Sequence, residues 1–298
     1  MLPTIRQLQY LKLLADHGSF GRAAEAARVT QPTLSAGVQE LERILGAPVV
    51  DRARSGVILT AAGEEALRRA VTILNEAEEL MQAARNAGMP LTGRFRLGVI
   101  PTVAPFLLPR ALPRLRERFP KLRLFLREDQ THRLIAALKA GRLDAALIAL
   151  PYDMGGLDWA HVSDDELLAA APANHPLARE EEIRPSALDT GELILLEDGH
   201  CLRDHALAAC GLQPPRRSGD EENFEATSLP TLVQMVSSGL GVTFLPAMAV
   251  AAGLTDAATV AVRRIAADHP TREIVVAWRA GSSRAPEGRL LAQVLQAA

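Results

Sequence analysis

The spacing of apolar residues changes near residue 90 of this 298-residue chain, and this change constrains the fold more than any other feature. Before it, apolar residues recur every three or four positions, which is the period of an amphipathic helix. After it, short β-prone runs alternate with helical segments. The stretch Asn86–Gly93 lies between the two patterns, and its two glycines and one proline interrupt regular structure. We therefore predict an all-α head followed by an α/β region.

Three closely spaced helices are predicted within the head. The first has apolar residues at helical spacing over positions 4–17 and stops at Gly18. Ser19 is placed to cap a short alanine-rich helix, and Thr30 to cap a third helix. Pro32 falls in the first turn of that helix, where a missing amide costs least. Short helices joined this tightly are typical of a helix-turn-helix.

A hairpin and one long helix follow the three short helices. Residues 49–59 contain two β-prone runs around a polar turn, which predicts a β-hairpin wing. Thr60 then caps a predicted helix that continues to about Arg85 and carries an apolar stripe. An exposed helix with such a stripe needs a partner, and the plainest partner is the same helix of a second subunit.

The region beyond the boundary is predicted to form a parallel α/β sheet, because its strands alternate with helices. A strand-rich block is expected over 163–200. A late strand at Ile274–Trp278 indicates two α/β lobes, with the chain returning to the first lobe at its end. The other predicted strands lie at 95–100, 122–127, 145–149 and 242–245, and the predicted helices lie at 103–119, 131–139, 229–238 and from about 286.

The start of the third helix carries side chains that suit DNA. Gln31 can pair with an adenine edge, and Thr33 and Ser35 can reach bases or phosphates from a helix N-terminus that itself favours phosphate. Singly, each has an ordinary alternative, since Thr33 can cap the helix and Gln31 can be solvated. Together with the three-helix spacing and the wing, they favour DNA binding. The predicted DNA contacts are Gln31, Pro32, Thr33, Ser35, Arg52 and Arg54.

The chain contains two cysteines, Cys201 and Cys210, nine positions apart. His200, Arg203 and His205 flank the first one, and a cationic setting predicts a thiol pKa below the free value of about 8.5. Nine residues of helix span about 13.5 Å, whereas a disulfide needs Cα atoms within about 7 Å. If the intervening segment is helical, a disulfide must unwind it, which makes the pair a candidate redox switch. The alternative is that Cys210 is an inert core residue.

Composition argues against several other classes of protein. No secretion signal opens the chain, so we expect a cytoplasmic protein whose cysteines stay reduced. Prolines and glycines interrupt the uncharged stretch 226–255, which is therefore not expected to span a membrane. The spacing of cysteines and histidines fits no common zinc site, and we predict neither a metal nor a cofactor. A net charge of −2 does not by itself indicate nucleic-acid binding, but it is compatible with a locally basic head.

The N-terminal pattern resembles the winged helix-turn-helix of LysR-type transcriptional regulators. The resemblance rests on Phe20–Ala27, Thr30–Ser35, Leu41–Gly46 and Leu59–Gly63. It implies a DNA-binding domain at 1–60, a linker and dimerisation helix at 61–90, and a two-lobed regulatory domain at 91–298 with the fold of periplasmic binding proteins. It also implies a homotetramer, built as a dimer of dimers, that binds promoter DNA and acts on RNA polymerase.

Within that family, the regulatory region is similar to the peroxide-sensing members. The similarity rests on Gly199–Asp204 followed by Cys210, and on Gly98–Val103, Gln130–His132 and Ala226–Leu229. It implies that hydrogen peroxide oxidises Cys201 to a sulfenic acid, that Cys210 resolves it to a disulfide, and that the oxidised protein activates oxidative-stress genes. A thiol reductant such as glutaredoxin or thioredoxin would reset it. The residues implied to bind and polarise peroxide are Thr102, Thr131, His200 and Arg272.

Two other functions stay open on the residues alone. The chain can be a LysR-type regulator that binds a small organic anion between its lobes and senses no peroxide. It can also be a thiol peroxidase, although the DNA-binding head and the lack of a Cys-x-x-Cys motif argue against an enzyme. We therefore expect a regulator rather than an enzyme.

Overall fold

A computed structural model describes residues 1–53, 56–86, 89–213, 225–266 and 270–297. The chain divides into two compact units, Met1–Gly88 and Met89–Ala298. The division falls inside the stretch where the apolar spacing changes.

The described residues of the first unit form the predicted helices and wing. Thr4 caps the first helix in a reciprocal arrangement with Gln7, and Gly18 ends it in a left-handed conformation with φ 61°. Leu11 and Leu34 are completely buried in the core between these helices. The elements are α1 (Ile5–His17), α2 (Phe20–Ala26), α3 (Gln31–Leu45), β1 (Val50–Ala53), β2 (Gly56–Leu59) and α4 (Ala61–Asn86).

The start of helix α4 packs closely against the residues that lead into the wing. The Thr60 hydroxyl donates to the carbonyl of Pro48 at 2.7 Å and accepts from the amide of Gly63 at 3.0 Å. Gly63 lies so near the preceding segment that a Cβ there would overlap the carbonyl oxygen of Val49. Position 63 therefore requires glycine because two backbones meet there.

Gly63→Ala is expected to destabilise the first unit by about 1–3 kcal/mol, because the added methyl group must displace the backbone at Val49. Gly21→Ala is the matched control, since its Cβ would meet only ordinary contacts and alanine favours helix over glycine by up to about 1 kcal/mol. Urea denaturation of both variants, followed by circular dichroism, measures the difference. Equal stability of the two variants would contradict the close backbone contact at Gly63.

The second unit is an α/β domain with one strand, β6 (Leu157–Pro172), that is much longer than the others. No described helix of the chain is both long and apolar enough to cross a membrane. The elements are β3 (Gly93–Val99), α5 (Ala104–Arg118), β4 (Leu122–Glu128), α6 (Thr131–Lys139), β5 (Ala145–Leu150), β6 (Leu157–Pro172), β7 (Glu182–Ile183), β8 (Leu195–Leu196), α7 (Cys201–Ala209), β9 (Glu225–Ala226), α8 (Leu229–Ser237), β10 (Thr243–Pro246), α9 (Ala247–Ala251), β11 (Val260–Ile265), β12 (Thr271–Arg279) and α10 (Ala285–Gln296).

The main sheet of this unit is mixed, so the prediction of a parallel sheet is only partly right. Its described strands follow the order β4-β3-β5-β12-β6-β11-β7, and β10 also pairs with β6. Strand β3 is parallel to β4 and β5, whereas β12 is antiparallel to both β5 and β6. Helical crossovers fix the direction of β3, β4 and β5. Strand β12 returns from the second lobe, so no local pattern fixes its direction.

The strand-rich block predicted over 163–200 is also different in the structure. One long strand, β6, begins at Leu157, and three short 3-10 turns follow it between Pro176 and Glu192. Pro176 and Pro185 each start one of these turns. Proline has no amide proton to give to a strand ladder, which explains why the apolar residues of this block do not form further long strands.

The described residues of the second unit form two hydrophobic cores, which correspond to the two predicted lobes. The first core surrounds β3, β5 and β12 and includes Leu97 and Cys201. The second surrounds β10 and the end of β6 and includes Phe244 and Cys210. The prediction of a two-lobed α/β domain is confirmed, and each lobe holds one of the cysteines.

Candidate functional site

Cys201 is the first residue of helix α7, and Cys210 directly follows its last residue. The helix begins after Gly199, whose φ of 95° lies in the left-handed region that favours glycine. A Cβ at that glycine would lie 2.8 Å from the side-chain oxygen of Gln130, so the loop fits tightly against the residue before α6. Both cysteines are reduced and buried. The segment between them is helical, so the sulfurs can meet only if it unwinds.

A completely buried arginine is fixed near the start of α7 by strand pairing. Arg272 of β12 lies directly opposite Asp165 of β6. Its Nε and Nη2 atoms donate to Asp165 Oδ2 at 3.0 and 2.8 Å. Its Nη1 atom donates to the Thr102 hydroxyl at 2.7 Å. Asp165 also accepts from the amide of Met248 at 2.9 Å, so the network fixes the guanidinium between strands β6 and β12, the turn that holds Thr102, and helix α9.

Opposing effects act on the pKa of the Cys201 thiol. Burial raises this pKa because a thiolate is poorly solvated there, while the charge of Arg272 and the hydroxyl of Thr131 lower it. Burial is the largest effect, and the pKa lies above its ordinary value. The prediction that neighbouring cations lower it is therefore wrong for the reduced site. The thiol is protonated at rest and must lose its proton to react.

The two cations expected beside Cys201 do not act as predicted. Arg203 forms ion pairs with Asp198 and Glu225, both at 2.8 Å, and its charge is not among those that shift the pKa of Cys201. Burial lowers the pKa of His200, which leaves its imidazole neutral. The positive charge that acts on the sulfur comes instead from Arg272, which is distant in sequence.

Thr102 and Thr131 follow the carboxyl ends of the neighbouring parallel strands β3 and β4, the edge where α/β sheets bind ligands. Both threonines are buried. The Thr102 hydroxyl is bound to Arg272. The Thr131 hydroxyl lies near the Cys201 sulfur but makes no well-aligned hydrogen bond to any described residue. It is therefore available to a small ligand.

Cys210 lies in the second core, away from this network. Burial raises its pKa to about 11, so the thiol is unreactive in the reduced protein. The nine helical residues before it span about 13.5 Å, whereas a disulfide needs Cα atoms within about 7 Å. A bond between the two sulfurs therefore requires a change in the backbone.

A cleft of about 380 Å³ opens beside the site. Thr102 and His200 line it, together with Gln130 before α6 and the loop 227–230. This volume lies within the range of about 300–1,000 Å³ that is typical of small-molecule pockets. Through Thr102, whose hydroxyl is bound to Arg272, the cleft reaches the edge of the buried network.

The predicted DNA contacts of the head lie at the start of α3. Gln31, Pro32 and Thr33 are exposed there, and Ser35 is half-buried one turn later. The Thr33 hydroxyl lies 2.8 Å from that of Thr30 and is therefore engaged at the helix start. Exposed polar residues at a helix N-terminus are the arrangement that a recognition helix needs.

The wing carries the other two predicted DNA contacts. Strands β1 and β2 pair antiparallel as predicted, with Arg52 opposite Val57. Arg54 lies outside the described residues. Its proposed role stays a prediction.

The sequence patterns miss two residues of the site. Asp165 lies 107 positions from its partner Arg272, and its only local signal is a carboxylate inside a strand-forming run. His205 enters the sequence argument only as a neighbour of Cys201. In the structure it is buried, and its Nε2 atom lies 2.9 Å from the carbonyl oxygen of Pro151.

Two family models match the chain. The model of the bacterial regulatory helix-turn-helix protein, lysR family, matches residues 5–64, and the model of the LysR substrate binding domain matches residues 89–298. The chain belongs to the LysR family. The helix-turn-helix head and the α/β regulatory domain are therefore those of a LysR-type transcription regulator, a family that is not a family of enzymes.

Similar LysR-type regulators include OxyR proteins. The Escherichia coli K12 DNA-binding transcriptional dual regulator OxyR is 38% identical over 294 residues, covering 98% of this chain and 95% of the relative. EstR of Acinetobacter baylyi is 43% identical over 249 residues, covering 84% and 81%. A full-length OxyR variant of Pseudomonas aeruginosa has a TM-score of 0.78 and 34% identity, covering 99% and 98%. A peroxide-bound OxyR mutant of Corynebacterium glutamicum has a TM-score of 0.66 and 33% identity, covering 100% and 92%.

Proposed function

We propose that this LysR-type regulator senses hydrogen peroxide and activates oxidative-stress genes when it is oxidised. One observation carries the proposal. A buried, reduced Cys201 lies beside the charge of Arg272 and the Thr131 hydroxyl, which has no well-aligned partner among the described residues, and Cys210 lies at the far end of the same helix. The similarity to OxyR proteins, one of them peroxide-bound, supports this function.

The network suits the chemistry of peroxide. Peroxide is small and neutral, so a selective site must stabilise the oxygen that departs when the oxygen–oxygen bond breaks. In the proposed reaction the Cys201 sulfur attacks one peroxide oxygen, and a sulfenic acid and water form. Arg272 and the hydroxyls of Thr102 and Thr131 stabilise the departing oxygen, and His200 helps to bind peroxide at the cleft.

The second step turns oxidation into a structural signal. The Cys210 sulfur attacks the sulfenic sulfur and releases water, which leaves a Cys201–Cys210 disulfide. Helix α7 must unwind for this bond to form, and the change re-spaces the DNA-binding heads by altering how subunits pack. A thiol reductant such as glutaredoxin or thioredoxin returns the protein to its reduced state.

The proposed assembly is a cytoplasmic homotetramer, a dimer of dimers on promoter DNA, that acts on RNA polymerase. Helix α4 exposes Ile73, Leu80 and Met81, of which Leu80 is 72% exposed. An apolar stripe on a long helix fits a second copy of that helix. We assign residues 1–60 to DNA binding, 61–90 to linkage and dimerisation, and 91–298 to redox sensing.

Peroxide added to the reduced full-length protein is expected to form a Cys201–Cys210 disulfide, seen by peptide mass mapping, and to change the footprint on bound DNA. Cys201→Ser is expected to abolish both effects, because the attacking sulfur is absent. Cys210→Ser is the matched control, since it still reacts at Cys201 but forms no internal disulfide. A footprint that still responds to peroxide in Cys201→Ser would overturn the proposal.

A second candidate function is a LysR-type regulator that binds a small molecule and senses no peroxide. The cleft beside Thr102 favours it, as does the similarity to EstR, whose name makes no reference to peroxide. A metabolite that changes the footprint of a variant lacking both cysteines would support this function. A footprint that changes with peroxide only, and only when Cys201 is present, would exclude it.

A further inference from the structure

His205 carries a buried nitrogen that has no hydrogen-bond partner among the described residues. The side chain is 6% exposed, and its Nε2 atom lies 2.9 Å from the carbonyl oxygen of Pro151. A carbonyl oxygen can only accept, so Nε2 carries the ring proton and Nδ1 presents a lone pair. No described atom donates to that lone pair. An unsatisfied buried polar atom needs an explanation, and a role in catalysis is one of the recognised ones.

This nitrogen belongs to a residue on the same face of α7 as the reactive sulfur. His205 is four residues after Cys201, a spacing that stacks side chains on a helix with Cβ atoms about 5–6 Å apart. The charge of Arg272 acts on both groups and lowers the pKa of each. The Thr131 hydroxyl, at the start of α6, also acts on the sulfur and has no well-aligned partner among the described residues. A small hydroxylic molecule bound beside the sulfur would give each of these two atoms a hydrogen-bond partner.

The charge states of the surrounding groups leave His205 as the available proton acceptor. Burial lowers its pKa, so the imidazole is neutral near pH 7, while burial raises the pKa of Cys201 and keeps the thiol protonated. Burial likewise raises the pKa of Tyr152, which stays a phenol. Asp204 is exposed to solvent, and Asp165 is bound to its arginine. A thiol that must ionise thus has a neutral base one helical turn away.

We propose that Nδ1 of His205 accepts the Cys201 proton, through one bridging hydroxyl, as the sulfur attacks peroxide, and then returns it to the departing oxygen. The inference rests on the proposed function, in which Cys201 reacts with peroxide. The S–H bond breaks and its electron pair forms the S–O bond. The O–O bond breaks, and the departing oxygen takes the proton from Nδ1 and leaves as water. Sulfur is oxidised, peroxide is reduced, and the imidazole ends neutral because the nearby Arg272 charge disfavours a lasting imidazolium.

His205→Gln keeps a polar side chain but removes the titrating base. At pH 7 the second-order rate of Cys201 oxidation is expected to fall about 100-fold in the full-length reduced protein. The deficit should shrink as the pH rises toward the raised pKa of Cys201, because the thiolate then forms without a base. Rapid mixing with peroxide, quenching by alkylation and mass mapping of Cys201 measure the rate at each pH. A purely structural role for His205 would not produce this pH-dependent convergence.

His161→Gln is the matched control, because it changes an exposed histidine of β6 and should leave the rate unaltered. A folded His205→Gln protein that oxidises at the unsubstituted rate at every pH would overturn the His205 assignment and leave the proposed function intact. An unsubstituted protein that does not react with peroxide would remove the proposed function itself.

If His205→Gln does not fold, the unsubstituted protein decides the matter. Its rate is expected to be level above the lowered pKa of His205 and to fall as that imidazole becomes protonated at lower pH. A rate that instead rises about tenfold per pH unit through neutrality would be that of an unassisted thiolate and would overturn the assignment.

Discussion

Arg272→Met is expected to lower the free energy of unfolding by about 3–5 kcal/mol, because it leaves a carboxylate buried without its cation. The Arg272 side chain is completely buried, the Asp165 side chain is 2% exposed, and two arginine nitrogens bind one carboxylate oxygen. Methionine replaces much of the apolar stem, so the lost charge, more than a cavity, causes the change. Urea denaturation at neutral pH measures it. Unaltered stability would show that the ion pair does not hold these strands together.

The double variant Arg272→Met with Asp165→Leu separates stability from chemistry. It removes both buried charges together, and apolar replacements of buried ion pairs are often neutral. The double variant should regain stability relative to Arg272→Met. It should remain about 1–3 kcal/mol less stable than the unsubstituted protein, because the Met248 amide loses its acceptor. Its reaction with peroxide should be slower than that of the unsubstituted protein, as it should be for Arg272→Met alone, because the charge of Arg272 no longer acts on the sulfur. A double variant that regained normal peroxide reactivity would contradict the role assigned to Arg272.

Formation of the Cys201–Cys210 disulfide is expected to unwind helix α7. The two sulfurs belong to separate cores, and the helix holds their Cα atoms about 13.5 Å apart, roughly twice the limit for a disulfide. Leu202 and Leu207 of this helix are buried in the second core and must leave it when the helix unwinds. Burial of a leucine stabilises a fold by about 1.5–3 kcal/mol, so the oxidised segment loses most of what holds it in place.

Hydrogen exchange followed by mass spectrometry tests this unwinding. Peptides that cover residues 202–210 should exchange at least about 100-fold faster in the disulfide form than in the reduced form. Peroxide-treated Cys210→Ser is the control, because it reaches the sulfenic acid without crossing between cores and should keep its protection. Unchanged protection in a protein whose disulfide is verified by mass would show that the sulfurs meet without loss of the helix.

Local signals in the sequence predict much of this fold, and contacts between distant segments account for most of what they miss. The helix Thr131–Lys139 has its predicted bounds, and α4 ends one residue beyond the predicted Arg85. These bounds are predictable because the spacing of apolar residues and the capping residues depend on neighbours in the sequence. The pairing of Arg272 with Asp165 depends instead on β12 lying antiparallel to β6.

The charges and pKa values at the site also depend on distant residues more than on sequence neighbours. Sequence neighbours suggest that Arg203 should activate Cys201, but Arg203 is paired with Glu225, which lies beyond α7 in β9. The direction of the Cys201 pKa is set by burial in the first core, and no run of residues encodes that burial. The residues around Cys201 do indicate where the proposed chemistry would occur, but they do not indicate which charge acts on the sulfur.

The placement of the two sulfurs in different cores bears on how readily the proposed disulfide is reduced. Whatever free energy α7 gains by packing in the reduced state is absent from the disulfide, and each 1.4 kcal/mol of that difference raises the reduction potential by about 30 mV. A disulfide whose formation costs this packing free energy is therefore more easily reduced by cellular thiols. In the proposed switch, packing around Leu207 would therefore tune the reduction potential of the disulfide. Packing in the second lobe would thus favour the return of the proposed switch to its reduced form.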